Sequence, residues 1–327
     1  MTRLILVELT RLRWRRAVAV LLAGCALATA VALGGTAWET RPVSPEEMRS
    51  AQAELERDRE QPWVQREIAR CEKNPDLHGA ADPAACEELA GPQLDWYLYR
   101  QELGVRTAFR TAGLAVITVM LGLLMLVGTT FAGADWNSGS MSNQLLFEPR
   151  RARVWLAKAG AVLLLAMATS AVLLVAFAGG LVLLADSRGL EVPPEVPGWV
   201  AASAGRAVLL IGAAAVGAYA VTMLFRSTVF TLGAMFAVVA GATVVLATLG
   251  VGEQWYPHKN ISAILWDGAR YYVESPSACF GRGPAPDGVD CSGFGRLELA
   301  TAARNLGVLL AAAVALSVWS FRRRDVP

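Results

Sequence analysis

Long apolar stretches alternate with polar segments along this chain of 327 residues. A helix needs roughly 20 consecutive apolar residues to cross a bilayer, and six stretches reach or approach that length. Hydrophobic residues make up 54% of the chain, and the mean hydropathy is +0.41. This pattern predicts an all-α integral membrane protein with six transmembrane helices. The predicted helices are 17–37, 111–132, 161–185, 207–225, 229–250 and 305–321.

The N-terminal segment, 1–16, mixes apolar residues such as Leu4 and Leu9 with a run of arginines. This mixture predicts a cytoplasmic amphipathic helix on the inner face of the membrane, and a topogenic charge cluster is the alternative. The apolar stretch that follows is longer than the core of an ordinary signal peptide. It also has no clear A-x-A cleavage site, so we expect it to be a retained helix.

The distribution of charge predicts the orientation. If both termini are cytoplasmic, the inside segments hold thirteen of the 30 Lys and Arg residues but only four of the 28 Asp and Glu residues. Because Lys and Arg accumulate in cytoplasmic loops, we expect a multi-pass protein with cytoplasmic termini, including the tail 322–327. A composition rich in Ala, and in Arg over Lys, points to a GC-rich bacterial genome and therefore to the bacterial cell membrane.

Four of the five cysteines lie in the two segments that are predicted to be extracytoplasmic, 38–110 and 251–304. Four cysteines allow three connectivities. In an oxidising compartment the economical pairing is local, which joins Cys71 to Cys86 and Cys279 to Cys291. The fifth, Cys25, lies in the first apolar stretch and is predicted to be a packed small hydrophobe.

Segment 38–110 is predicted to be helical. Ser44, Pro45 and Glu47 form a helix-start signal, Pro62 ends or kinks that helix, and 94–110 predicts a second helix leading into transmembrane helix two. In segment 251–304, aromatic residues among charges suit the bilayer interface or a short re-entrant helix pair. A Gly- and Pro-rich loop, 281–295, follows. An outer gate or cargo site and plain interfacial anchoring are both open for this segment.

Several function classes lack their motifs. No Asp, Glu, Lys, Arg or His lies inside the six apolar stretches as drawn, which disfavours ion-coupled transport. The sequence contains no P-loop, no H-E-x-x-H, no C-x-x-C and no G-x-S-x-G, and its only histidines are His78 and His258. We therefore expect no enzyme activity, metal or cofactor in this chain, and ATP-driven work would need a partner.

The polar and then basic segment 133–158 separates the second and third apolar stretches. An acid follows the second helix, Gly-Ser permits a tight turn, a short apolar helix ends at Pro149, and arginines precede the third helix. A short amphipathic helix held between two spans can transmit force from a docked protein. The alternative is an interfacial loop that obeys the positive-inside rule.

This order of residues, with Leu-Leu, Pro-Arg and a Lys entering the third helix, resembles the signature region of type-two ABC exporter permeases. The resemblance extends to the layout of nearly the whole chain. It implies a permease subunit that pairs with a second permease subunit and exports a hydrophobic or amphipathic substrate, driven by a separate ABC ATP-binding subunit. The residues that it implies for ATPase coupling are Asp135, Gly139, Ser140, Met141, Leu145, Leu146, Phe147, Glu148, Arg150, Arg151 and Arg153.

The main alternative function is a membrane-anchored sensing or assembly protein. In that hypothesis the disulfide-stabilised extracytoplasmic segments bind a ligand or a protein, and the basic segment 133–158 only fixes the topology. Whether segment 133–158 binds an ATPase distinguishes the two hypotheses. Neither hypothesis involves nucleic acid, and both place the chain in the lipid bilayer.

Overall fold

A computed structural model of the chain describes residues 1–75, 79–80, 82–98, 102–276, 279 and 290–323. The chain divides into two compact units. The first unit comprises Met1–Leu33 and Val105–Pro327, and the second unit comprises Gly34–Gly104. His78 and Arg324, the tail beyond 323, and most of the predicted loop 281–295 lie outside the described residues.

The structure is mostly helical, as predicted. Five helices are long and apolar enough to cross a membrane, and they are α2, α6, α8, α9 and α13 in the numbering below. In chain order the α-helices of the described residues are α1 (Thr2–Arg13), α2 (Arg16–Glu39), α3 (Pro45–Arg59), α4 (Pro62–Lys73), α5 (Cys86–Ala90), α6 (Val105–Asn137), α7 (Ser140–Phe147), α8 (Arg151–Ser187), α9 (Glu195–Phe225), α10 (Thr228–Phe236), α11 (Ala242–Thr248), α12 (Pro257–Trp266) and α13 (Leu299–Arg323).

The spanning helices are longer than the apolar stretches that predicted them. Helix α8 begins ten residues before the predicted 161–185, and α9 begins at Glu195 rather than at 207. Polar residues can continue a helix beyond the apolar core of a bilayer because they face the headgroups or water. The apolar limits therefore gave the position of each helix but not its ends.

The predicted fifth helix, 229–250, consists of three consecutive helical segments. Helix α10 is followed by a π-helical turn, Ala237–Gly241, and then by α11. A π turn carries an extra residue and interrupts the regular hydrogen-bond ladder. This segment is therefore not one of the five long helices, and a sixth span stays a prediction.

The prediction of an all-α fold misses one element in the first unit. Strand β1 (Ala269–Tyr272) pairs with β2 (Phe294–Leu297) in an antiparallel ribbon. Tyr271 lies opposite Gly295, where any Cβ would stand 2.5 Å from its ring, so the tyrosine covers the glycine. A disulfide between Cys279 and Cys291 closes the connection between the strands. The closed connection keeps the two short strands together.

The second unit confirms two local predictions and corrects one. Ser44 and Glu47 form a capping box at the start of α3, and Pro62 begins α4. Of the predicted helix 94–110, only the part from Val105 onward is helical, and the prediction is wrong for the described residues before it. Only a 3-10 turn forms at Leu94–Trp96, residues 102–104 are not helical, and α6 begins after Gly104. Glycine there disfavours helix because it loses the most backbone freedom on folding.

Candidate functional site

Segment 133–158 forms a short helix between two long ones. Helix α6 ends at Asn137, α7 has eight residues, and α8 begins at Arg151, just after Pro149. Gly139 precedes α7 with a φ of +67°, a left-handed conformation that glycine adopts without steric cost. The predicted turn and short helix are therefore present, and both are anchored to helices long enough to span a membrane.

A cluster of buried charges lies where α1, α6 and α8 meet. The exposed fractions are 1% for Glu8, 0% for Asp135 and 0% for Lys158. Lys158 Nζ donates to Glu8 Oε2 at 3.0 Å and also to Asp135 Oδ2. Burying an unpaired charge costs much free energy, so the contacts among these three groups are required for their burial.

Two arginines complete this charge cluster, which we define as Glu8, Arg11, Arg15, Asp135 and Lys158. The Arg15 guanidinium lies 2.5 Å from Asp135 Oδ1, and the Arg11 guanidinium lies 3.3 Å from the same atom. Arg11 also lies 3.2 Å from Glu8 Oε2. The two carboxylates are thus held by three cations that come from three different helices or their ends.

Helix α7 is attached to the charge cluster by its inner face. Ser140 Oγ donates to Asp135 at 3.0 Å, and Gln144 Nε2 donates to Glu8 at 2.5 Å. Met141, one helical turn before Gln144, is buried. A displacement of α7 must therefore break these hydrogen bonds or carry the cluster with it.

The outer face of α7 is apolar and exposed. Leu146 is 80% exposed and Phe147 is 91% exposed, whereas Leu145 is half-buried. Exposed arginines follow at positions 150 and 153. We call Leu146, Phe147, Arg150 and Arg153 the outer patch.

The remaining predicted site residues hold the connection to α8. The carboxylate of Glu148 accepts a hydrogen bond from the backbone N–H of Arg150 at 3.3 Å. Arg151 donates to the backbone oxygens of Phe321 and Arg322, each at 3.5 Å, near the end of α13. The predicted residues thus divide among a buried set at the charge cluster, an exposed set in the outer patch, and a set that fixes the connection.

Sequence reasoning missed the contribution of α1. The sequence predicts only headgroup contact or a topogenic role for the arginines of 1–16, and it carries no site prediction for Glu8 or Gln144. The spacing of the charges in α1 carried a signal, since residues three and four apart lie on one face of a helix. Asp135 and Lys158 lie just outside the apolar stretches as drawn, so the search for ionisable groups within those stretches did not find them.

Both predicted disulfides are confirmed. Cys71 bonds to Cys86, Cys279 bonds to Cys291, and Cys25 is free and buried in α2. Among the described residues, no group of three or more His, Cys, Asp or Glu side chains could hold a metal ion. No protein family, curated protein or solved structure matches this chain.

Proposed function

We propose that the chain is the permease subunit of an ATP-driven exporter that resembles the type-two ABC exporters. The observation that carries the proposal is the exposed Leu146–Phe147 pair, on a short helix whose other face is bonded to buried charges of α1 and α6. Exposed adjacent apolar side chains beside arginines are typical of a surface that a partner covers. The partner in this proposal is a separate ABC ATP-binding subunit.

The contacts of α7 supply a route for mechanical coupling. A partner that binds the outer patch tightly in only one of its nucleotide states would shift the position of α7. Because Ser140 and Gln144 bond to Asp135 and Glu8, that shift would reach α6 and α1 directly. Lys158 would pass it on to α8. Three helices would thus respond to one docking event.

The wider assembly follows the same proposal. The chain would lie in the bacterial cell membrane with six spans, counting the three segments from α10 to α11 as one, and with cytoplasmic termini. Two permease subunits would pair, either identical or different. The exported substrate would be hydrophobic or amphipathic, and ATP hydrolysis would occur in the partner chain.

A sensing or assembly protein is the second candidate function. The compact second unit favours it, because Cys71, Ala80 and Cys86 form a small buried core there around the disulfide. Such a unit offers a stable surface for an extracytoplasmic ligand or protein. In this case the outer patch would bind no ATPase.

Affinity purification of the tagged chain from its own host, in mild detergent, tests the proposal. We expect a P-loop ATPase in stoichiometric amount with vanadate-sensitive hydrolysis. The double variant Leu146→Asp, Phe147→Asp should lose the ATPase, because charge at two exposed apolar positions disrupts docking without changing the buried face of α7. Mass spectrometry of the eluate and an ATPase assay provide the measurements.

The matched control introduces the same charges at two exposed apolar residues of the second unit, Trp63→Asp with Leu89→Asp. This control should retain the ATPase. Equal recovery of the ATPase by both double variants would refute the role of α7. A wild-type eluate without any ATPase would favour the sensing or assembly protein.

A further inference from the structure

An open cavity of about 930 Å³ lies in the first unit at the N-terminal end of α6. Helix α12 and the β-ribbon form its other walls. The side chains that matter here are Arg110, Trp266, Asp267, Arg270, Phe294 and Arg296.

The cavity is rich in positive charge that the chain does not neutralise. Within the described residues, no carboxylate pairs with Arg110, Arg270 or Arg296. The carboxylate of Asp267 also lines the cavity, but it lies 3.6 Å from Arg206 on α9. Three arginines therefore line the cavity, and the one carboxylate among its described lining residues, that of Asp267, lies beside Arg206.

Two of these arginines are held directly opposite one another. Arg270 of β1 and Arg296 of β2 are partners in the ribbon register. Like charges at opposed positions of a strand pair destabilise the pair, because their Cβ atoms are only about 5 Å apart. An anion between the two guanidinium groups would offset this repulsion.

The surrounding contacts keep the opposed arginines in place. Lys259 donates to the backbone oxygen of Arg270 at 3.0 Å, and Arg296 donates to the backbone oxygen of Asp267 at 3.3 Å. Gly268 has a φ of +118°, and a Cβ there would stand 3.1 Å from the Arg296 guanidinium. These contacts fix the backbone of Arg270 and the guanidinium of Arg296, and the conformation at Gly268 leaves room for Arg296.

An aromatic group supports the cavity. Trp266 stacks on Trp199 with ring centroids 5.5 Å apart, and Phe109 packs edge-on to both rings. The Arg110 guanidinium lies 5.7 Å from the Trp266 ring centroid. Tryptophan and arginine together are typical of the membrane–water interface, where one end of a side chain is apolar and the other is wet. The cavity thus combines cationic walls with an apolar support.

We infer that this cavity binds the phosphate group of an anionic ligand, with Arg270 and Arg296 as its principal contacts and Arg110 as the third. Guanidinium groups bind phosphate oxygens through paired, charge-assisted hydrogen bonds. The cavity is larger than a phosphate ion and has tryptophan beside it, which favours the headgroup of an anionic lipid over free phosphate. This inference goes beyond the proposed function and does not depend on the docking of an ATPase.

Lipid binding to the purified full chain tests the inference. The probes are phosphatidylglycerol, net-neutral phosphatidylcholine and inorganic phosphate. Native mass spectrometry counts the bound lipid molecules. The change in Tm on adding inorganic phosphate measures the binding of phosphate. We expect preferential binding of phosphatidylglycerol, reduced at least about tenfold in the double variant Arg270→Gln, Arg296→Gln, because each lost charge-assisted bond is worth a factor of about ten or more. Binding of phosphatidylcholine should not change.

Two further variants separate binding from folding. Arg110→Gln removes one guanidinium on α6 and leaves the ribbon untouched, so it should weaken phosphatidylglycerol binding while Tm stays at the wild-type value. The control Arg57→Gln with Arg66→Gln removes the same charge from exposed positions of the second unit and should bind like the wild type. In lipid-free detergent, Arg270→Gln should have an equal or higher Tm than the wild type, since it removes the opposed charge.

The same experiment distinguishes a lipid headgroup from a free phosphate compound as the source of the bound phosphate. Preferential binding of phosphatidylglycerol, without a rise in Tm on adding inorganic phosphate, assigns a lipid headgroup. Stabilisation by inorganic phosphate that the double variant loses, without a preference for the anionic lipid, assigns a free phosphate compound. If neither probe distinguishes the wild type from the double variant, the inference is wrong.

Discussion

The charged groups at the two ends of α6 differ in burial and in pairing. Asp135 near the C-terminal end is buried among three cations and a second carboxylate. Arg110 near the N-terminal end is exposed and lines a cavity with Arg270 and Arg296, and no carboxylate of the described residues pairs with these three arginines. The two residues are about 37 Å apart along the helix at 1.5 Å per residue. If α6 spans a bilayer, the two ends lie on opposite sides of it.

This difference in burial and pairing predicts how removal of a charge changes stability at each end of α6. A buried cluster of mixed sign satisfies itself, so removing one member leaves another charge buried and unpaired. An exposed group of one sign has no such internal partner, so removing one member relieves repulsion. Substitution of a charge should therefore be destabilising at the charge cluster and neutral or stabilising at the cavity.

The largest expected effect is at Lys158. The variant Lys158→Met leaves Glu8 and Asp135 without their shared buried cation, which should cost about 3 to 5 kcal/mol. In a protein of this size the melting temperature should fall by roughly 4 to 7 °C. Differential scanning fluorimetry in mild detergent measures this change.

Two variants serve as controls for the charge cluster. Arg153→Gln removes an exposed charge from the same helix and should leave Tm nearly unchanged. Adding Glu8→Gln to Lys158→Met should recover part of the loss, because Glu8 keeps only Arg11 as an ion-pair partner once Lys158 is lost. A Tm for Lys158→Met equal to that of Arg153→Gln would mean that the cluster is open to water.

A smaller effect is expected at the cavity end. Replacing Cys279 and Cys291 by Ala opens the connection of the β-ribbon, a loop with a sequence separation of 12. Chain-entropy arguments give about 3 kcal/mol for a loop of this length. The loss should fall on the ribbon and on phosphatidylglycerol binding, while the charge cluster is unaffected.

Hydrogen exchange measured by mass spectrometry distinguishes the two ends. Peptides covering β1 and β2 should exchange faster in the double cysteine variant, and peptides covering α1 and α7 should exchange at the wild-type rate. The double variant Cys71→Ala, Cys86→Ala is the matched control, since it opens a loop of similar separation in the second unit. Faster exchange of α1 and α7 in the Cys279 variant would show that the ends are coupled.

The helices, the short helix α7 and both disulfide pairs could be predicted from sequence because their signals are local. Apolar length, a capping box and cysteine spacing each act over about 20 residues or fewer. The charge cluster could not be predicted as a unit, since Glu8 and Lys158 meet across 150 positions. The opposed arginines required the ribbon register, which depends on pairing between 269–272 and 294–297. The function proposed for either site involves a partner or ligand, which local patterns do not encode.

The smallest expected effect concerns pH at the cavity end. The carboxylate of Glu253 accepts a hydrogen bond from the Tyr272 N–H at 2.8 Å and lies 3.2 Å from Lys259. The backbone hydrogen bond and then Lys259 hold the pKa of Glu253 below its ordinary value. A lowered folded-state pKa gives stability that is present above the ordinary value of about 4.3 and is lost as pH falls through the folded-state pKa.

The variant Glu253→Gln isolates this contribution. Its Tm should lie slightly below that of the wild type at pH 7, and the difference should shrink below the ordinary pKa of about 4.3 and disappear below the lowered folded-state pKa. Because all other groups are the same in the two proteins, subtracting the two curves removes their contribution. Lys259→Met should give a smaller version of the same difference, since Lys259 is the second cause of the lowered pKa. A Tm difference that persists unchanged at low pH would show that Glu253 acts by its shape and not by its charge.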